Sequence, residues 1–196
     1  MNDRLIVILR IQWTMEANIS AEDALEILKR GNSDYVNSPH IGNISRERRA
    51  FTAELGQHPY AAIVTCSDSR VIPEAIFSAG IGDLFVIRSA GNTVDRFILD
   101  SLEYAVGHLG CNLVVVMGHT DCGAISAAMN HTVGHVISII EDIRKFIGGE
   151  EDPYQAELKN IKASVNRIRR DMGRENLVVE GAHYHIDTGV VDFIDI

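Results

Sequence analysis

The chain of 196 residues carries 18 Lys and Arg against 27 Asp and Glu, a formal net charge of −9. That length makes one full domain able to bury a core without disulfide staples, and 46% hydrophobic with 23% charged residues is the composition of a soluble globular protein. Collagen-like, disordered and membrane-spanning classes are excluded, and the acidic balance argues against a nucleic-acid partner, whose phosphates need a basic face.

In chain order, Ser20 reads as an N-cap, and the apolar positions Ala24, Leu25 and Leu28 predict a helix over 20–30, stopped by Gly31. A polar loop with Pro39, Gly42 and Asn43 leads to a second helix, Ser45 to Leu55, ended by Gly56. Four short unalternated apolar runs follow, at 61–65, 84–87, 113–117 and 177–180. Such runs are strands buried on both faces of a parallel sheet. Helical patterns separate them: 95–109, then 123–147 with an interruption near Gly134, then 154–171. The alternation predicts an α/β fold, a mainly parallel sheet flanked by helices. Residues 184–196 form a final edge strand or hairpin turned at Gly189, and residues 1–19 form an extension ahead of a single domain over 20–196.

The three cysteines, Cys66, Cys111 and Cys122, are an odd count. The apolar run Leu5 to Leu9 ends at Arg10, short of a signal-peptide core, and no run reaches the about 18 apolar residues of a membrane helix. The expected compartment is a reducing cytoplasm with no membrane partner, where clustered cysteines are ligands or catalysts rather than crosslinks. Two clusters sit where the chain leaves a predicted strand: Cys66-Ser67-Asp68-Ser69-Arg70 and His119-Thr120-Asp121-Cys122-Gly123. Ligands of open α/β sheets bind outside these carboxyl ends. Thiols with an imidazole form a ligand set that suits Zn²⁺ over Mg²⁺ or Ca²⁺. Cys66, His119 and Cys122 make a Cys₂His site with a fourth position open, Asp68 is placed to take or surrender that position, and Gly118 and Gly123 let the backbone bend there. With two thiolates the metal site is formally neutral, and a bound carboxylate would make it anionic. Arg70 supplies the remedy, holding Asp68 by a bidentate pair off the metal, where it can orient a zinc-bound hydroxide.

These motifs, CSDSR (66–70), IRSAGN (87–92) and GHTDCGA (118–124), resemble those of the β-class carbonic anhydrases, zinc lyases that interconvert CO₂ and bicarbonate. The resemblance runs from about Ser20 through the GAHYHIDTG segment at 181–189. It implies one Zn²⁺ per chain on Cys66, His119 and Cys122, the Asp68–Arg70 dyad, and a homodimer that can pair into a tetramer. It also implies that Gln57 hydrogen-bonds substrate and that Arg88 stands beside the pocket. Tyr184 matches a tyrosine that some members pair with a tryptophan in a regulatory bicarbonate site, whereas the only tryptophan here, Trp13, lies outside the resemblance.

Several other readings frame these expectations. A closed structural zinc knot usually takes Cys₄ or Cys₂His₂ without a carboxylate or arginine. A reactive-thiol enzyme leaves the second cysteine and Asp68 without a role. A zinc hydrolase of a CO₂-like molecule, carbonyl sulfide or carbon disulfide, and a non-catalytic zinc sensor stay open as alternatives. Cys111 reads as a small core residue. His108, His131, His135, His183 and His185 read as solvated or capping residues, and the arginines at 167, 169, 170 and 174 as favourable charge near a helix C-terminus.

Overall fold

The structure, a computed structural model, describes residues 19–130 and 136–196. Strands β1 (Ala61–Cys66), β2 (Leu84–Ser89), β3 (Leu113–His119), β4 (Val178–Tyr184) and β5 (Val191–Ile194) form one sheet in the order β2-β1-β3-β4-β5. All neighbours are parallel except β5, which returns antiparallel on β4. Helices α1 (Ala21–Asn37) and α2 (Arg46–Leu55) precede β1, and α3 (Pro73–Ile76), α4 (Arg96–Glu103), α5 (Gly123–Met129), α6 (Ile137–Ile147) and α7 (Pro153–Met172) lie in the connections between strands.

Every residue of β1 and β3 is buried, which is why their sequences carry no alternation. One face of the sheet, with Ile63, Val115 and Met117, packs on Leu28 of α1 and on Ile76 and Phe77 around α3. The other, with Val64, Val114 and Val116, packs on Leu102 of α4 and on Ile161, Val165 and Ile168 of α7. The layers are therefore helix, sheet, helix, as the strand–helix alternation predicts.

The helix starts are the expected ones. Ser20, Ser45 and Asp95 each accept a backbone N–H three residues on, and the tail forms the antiparallel β5 after a left-handed Gly189. Gly31, expected to stop the first helix, lies inside α1 instead. A Cβ there would sit 2.0 Å from the Phe77 carbonyl oxygen, so this glycine serves close packing and not termination. The expected break at Gly134, together with His131, His135 and Trp13, lies outside the described residues.

β1 is flanked by β2 on one side and β3 on the other, so the chain leaves β1 in one direction and crosses over it to reach β3. This arrangement gathers the carboxyl ends of all three strands around one crevice.

Candidate metal centre

Cys66 is the last residue of β1 and His119 the last of β3, while Cys122 lies three residues on, immediately before α5. The strands end on the ligands themselves, one or two residues beyond the apolar runs. Asp121, with a φ of 55°, turns the chain back so that Cys122 faces Cys66. Gly118 does not bend the chain. It sits in regular strand under α7, where a Cβ would meet the Ile161 side chain at 2.7 Å, and Gly123 opens α5 with an ordinary φ.

The ligand atoms of Cys66, His119 and Cys122 all lie within 4.8 Å of one another and all three residues are buried. The sulfurs are 4.0 Å apart, close to the about 3.8 Å separating two thiolates on a tetrahedral Zn²⁺. The His119 ring is oriented by Nδ1, 2.9 Å from the Thr120 carbonyl oxygen, which makes Nδ1 the protonated nitrogen. Its Nε2 is buried with no hydrogen-bond partner among the described residues. A buried, unpartnered imidazole lone pair beside two sulfurs is costly unless a cation meets it. Hydrogen bonding from the Cys122 thiol, with help from the Gly91 N–H, draws the Cys66 thiol down, while Cys66 and burial push Cys122 up. Two sulfurs this close share one proton in the metal-free protein, and a divalent cation would take that proton's place between them. The residues present therefore fit a zinc ion.

Asp68 stands outside this trio. Its Oδ1 accepts the Arg70 Nε–H at 2.9 Å and its Oδ2 accepts Nη2–H at 2.7 Å, the bidentate pair expected from the sequence. Oδ2 lies 3.9 Å from His119 Nε2, at the edge of the cluster. The Arg70 hydrogen bonds hold the Asp68 carboxyl well below the usual carboxylate range. Arg70 also donates to the Asp121 carbonyl at 3.3 Å, tying the two ligand-bearing loops together. From β2, Arg88 donates to the carbonyls of Cys66, Asp68 and Val71 at 3.2, 2.6 and 2.8 Å, so it braces the loop that carries Asp68.

Gln57 is not brought to this cluster within the chain. It is exposed and precedes β1, whose amino end is fixed where Pro59 accepts the Cys111 thiol and Tyr60 N–H donates to Asp83. Cys66 is at the other end of that strand, about 17 Å away at 3.3 Å per residue. Cys111 is the buried spare cysteine expected, its thiol pushed up to about 12 by burial. His108 is exposed and stacks on Tyr104.

His183 differs from expectation: it is fully buried in β4, with Nε2 2.8 Å from Glu157 Oε2. Its position opposite Gly118 in the parallel register, next to the His119 pairing, puts it under the site rather than in solvent. Sequence reasoning also missed Glu157, Asn160 and Ser164 of α7 and gave no role to the Ala90–Asn92 turn. A signal was available, since these three polar residues share a helix face with Ala156 and Ile161, where an apolar stripe was due.

The carbonic anhydrase family profile matches residues 61–191. Carbonic anhydrase 2 of Mycobacterium tuberculosis is 45% identical over 113 residues, 57% of this chain and 54% of that protein, so the match spans about half of that relative. The carbonic anhydrase of Mycolicibacterium smegmatis is 32% identical over 188 residues, 86% of this chain and 91% of that protein. Among solved structures, the β-carbonic anhydrase CafA of Aspergillus fumigatus superposes with a TM-score of 0.67 at 25% identity, covering 76% of this chain and 81% of that one. The Coccomyxa β-carbonic anhydrase in complex with acetazolamide gives 0.65 at 28% identity, covering 76% and 78%. With the profile covering the sheet from β1 to the start of β5 and both motif loops, the chain belongs to the β-class carbonic anhydrases.

Proposed function

We propose that the chain is a zinc lyase that hydrates CO₂ to bicarbonate and a proton. The observation that carries this reading is the buried Cys66–His119–Cys122 trio with the Asp68 carboxylate clamped beside it and off it. Zinc held by these three side chains supplies a nucleophile at neutral pH by lowering the pKa of a water from 15.7 towards about 7.

The chain's own residues do the rest. Cys66 and Cys122 would hold the ion as thiolates whose two charges balance it, and His119 would add one neutral ligand. Asp68 accepts the nucleophile's hydrogen and so aims its lone pair at the substrate carbon. It takes no proton, because Arg70 keeps it ionised. Arg88 holds the loop in place, and with Asp68 kept ionised the proton of the reaction goes to solvent. Stopped-flow assays on CO₂, carbonyl sulfide and carbon disulfide test the substrate: CO₂ hydration should dominate, and turnover of only a sulfur-bearing gas would overturn the reading.

Gln57, as the residue that hydrogen-bonds CO₂, belongs to a homodimer in this proposal. Since it sits at the far end of β1 from Cys66, it reaches a zinc site only when a second copy presents it. Activity per chain should then fall on dilution as dimers part, and Gln57→Ala should raise KM or lower kcat by about tenfold. Activity independent of both changes would remove Gln57 from the mechanism. Among the described residues no helix is long and apolar enough to cross a membrane. The three buried free thiols support a reducing, cytoplasmic setting.

A further inference from the structure

Buried polar side chains on a core helix need a reason. α7 packs on the sheet through Ile161, Val165 and Ile168, yet the same face carries Glu157, Asn160 and Ser164, exposed by only 4%, 2% and 4%. Their spacing of three and four residues aligns them along one side of the helix. Each spends its hydrogen-bonding capacity on backbone next to a thiol ligand. Glu157 Oε1 accepts the Cys122 N–H at 3.3 Å, while its Oε2 is engaged by His183. Asn160 Nδ2 donates to the Gly91 carbonyl at 2.8 Å, and Ser164 Oγ donates to the Asn92 carbonyl at 3.3 Å. The turn so held is the one whose Gly91 N–H donates to Cys66 Sγ at 3.3 Å.

From this arrangement we propose that α7 is the strut of the metal centre, with Glu157 and Asn160 as positioning residues that set where the two thiolates stand. The inference rests on the metal-centre reading above and extends it to residues outside the three ligands. Cys122 begins α5 with no side-chain cap, because its sulfur is committed elsewhere. Glu157 reaches across from another helix to bind the Cys122 N–H, the bond that a capping-box glutamate makes locally. Asn160 acts on the other sulfur at one remove: it anchors the Gly91 carbonyl, and so aims the Gly91 N–H at Cys66. Outer groups that hydrogen-bond to metal ligands, and orient them in this way, typically contribute 10- to 100-fold in metal affinity.

The experiment uses the intact chain and three variants, Glu157→Ala, Glu157→Gln and Asn160→Ala. Zinc affinity is read by competition with a chromophoric chelator. The thiolate-to-metal charge-transfer band is read in the Co²⁺-loaded protein, and thermal melting in the metal-free protein. Glu157→Ala and Asn160→Ala should each weaken zinc by about 10- to 100-fold and shift the cobalt band. Glu157→Gln keeps an acceptor oxygen for the Cys122 N–H and should restore most of the affinity and the original band. A strut that serves only the core would lower the melting temperature and leave the band and affinity alone, and that result overturns the proposal. Should Glu157→Ala not fold, unchanged affinity and spectrum in Asn160→Ala suffice to overturn it. A wild-type chain that takes up neither Zn²⁺ nor Co²⁺ would instead sink the metal-centre reading beneath it.

Discussion

Asp68→Asn should keep a full complement of zinc and lose CO₂ hydration by about 100-fold or more, the range attached to removing one positioned hydrogen-bonding group at a reacting centre. The amide fills the same space and can still face Arg70, but one of its two oxygens has become a donor. It can present N–H where the nucleophile's own hydrogen must point, so the lone pair is turned away from carbon. Because Arg70 holds the native carboxyl far below neutrality, Asp68 does not titrate in the working range. The deficit of the variant should therefore be of similar size at pH 6 and pH 9, with any pH dependence of activity originating elsewhere. A variant with stoichiometric zinc and native turnover would reduce Asp68 to a loop brace for Arg70.

His119→Ala and Cys66→Ser are expected to act one step earlier, on the metal itself. Spread over four ligands, zinc-site binding energies of 10–16 kcal/mol give about 2.5–4 kcal/mol per ligand, roughly 70- to 900-fold in affinity. Elemental analysis should find both variants nearly empty after dialysis, with hydration at the uncatalysed rate. Both residues are buried at strand ends, so melting of the metal-free proteins separates loss of metal from loss of fold. Either variant retaining one zinc per chain would show that the trio is not the ligand set.

The contrast between these substitutions follows from geometry that was partly legible in the sequence. The runs at 61–65 and 113–117 announce strands buried on both faces, and the CSDSR and HTDC clusters directly behind them announce the ligand loops. Residue type alone then suffices to propose a metal-ligand set, and the short span from Asp68 to Arg70 suffices for the bidentate clamp that the structure contains. What could not be read is whatever depends on a partner distant in sequence. Gly31 looks like a helix stop until the Phe77 carbonyl is seen against it. His183 looks like one of several spare histidines until Glu157, on α7, is found beneath it. The IRSAGN stretch carries the family resemblance, but the use of its Gly91 N–H appears only once β2 lies beside β1. Gln57 is near Cys66 in sequence and a strand length away in space, because β1 runs between them.

Zinc-dependent catalysis is tested by stopped-flow CO₂ hydration with the chain as purified, after stripping with a chelator, and after one equivalent of Zn²⁺ is returned. Catalysis is expected in the first state, its disappearance in the second with the fold retained, and recovery in the third at one zinc per chain. Hydration that survives complete removal of zinc, or a zinc-loaded chain that hydrates no CO₂, would contradict zinc-dependent catalysis.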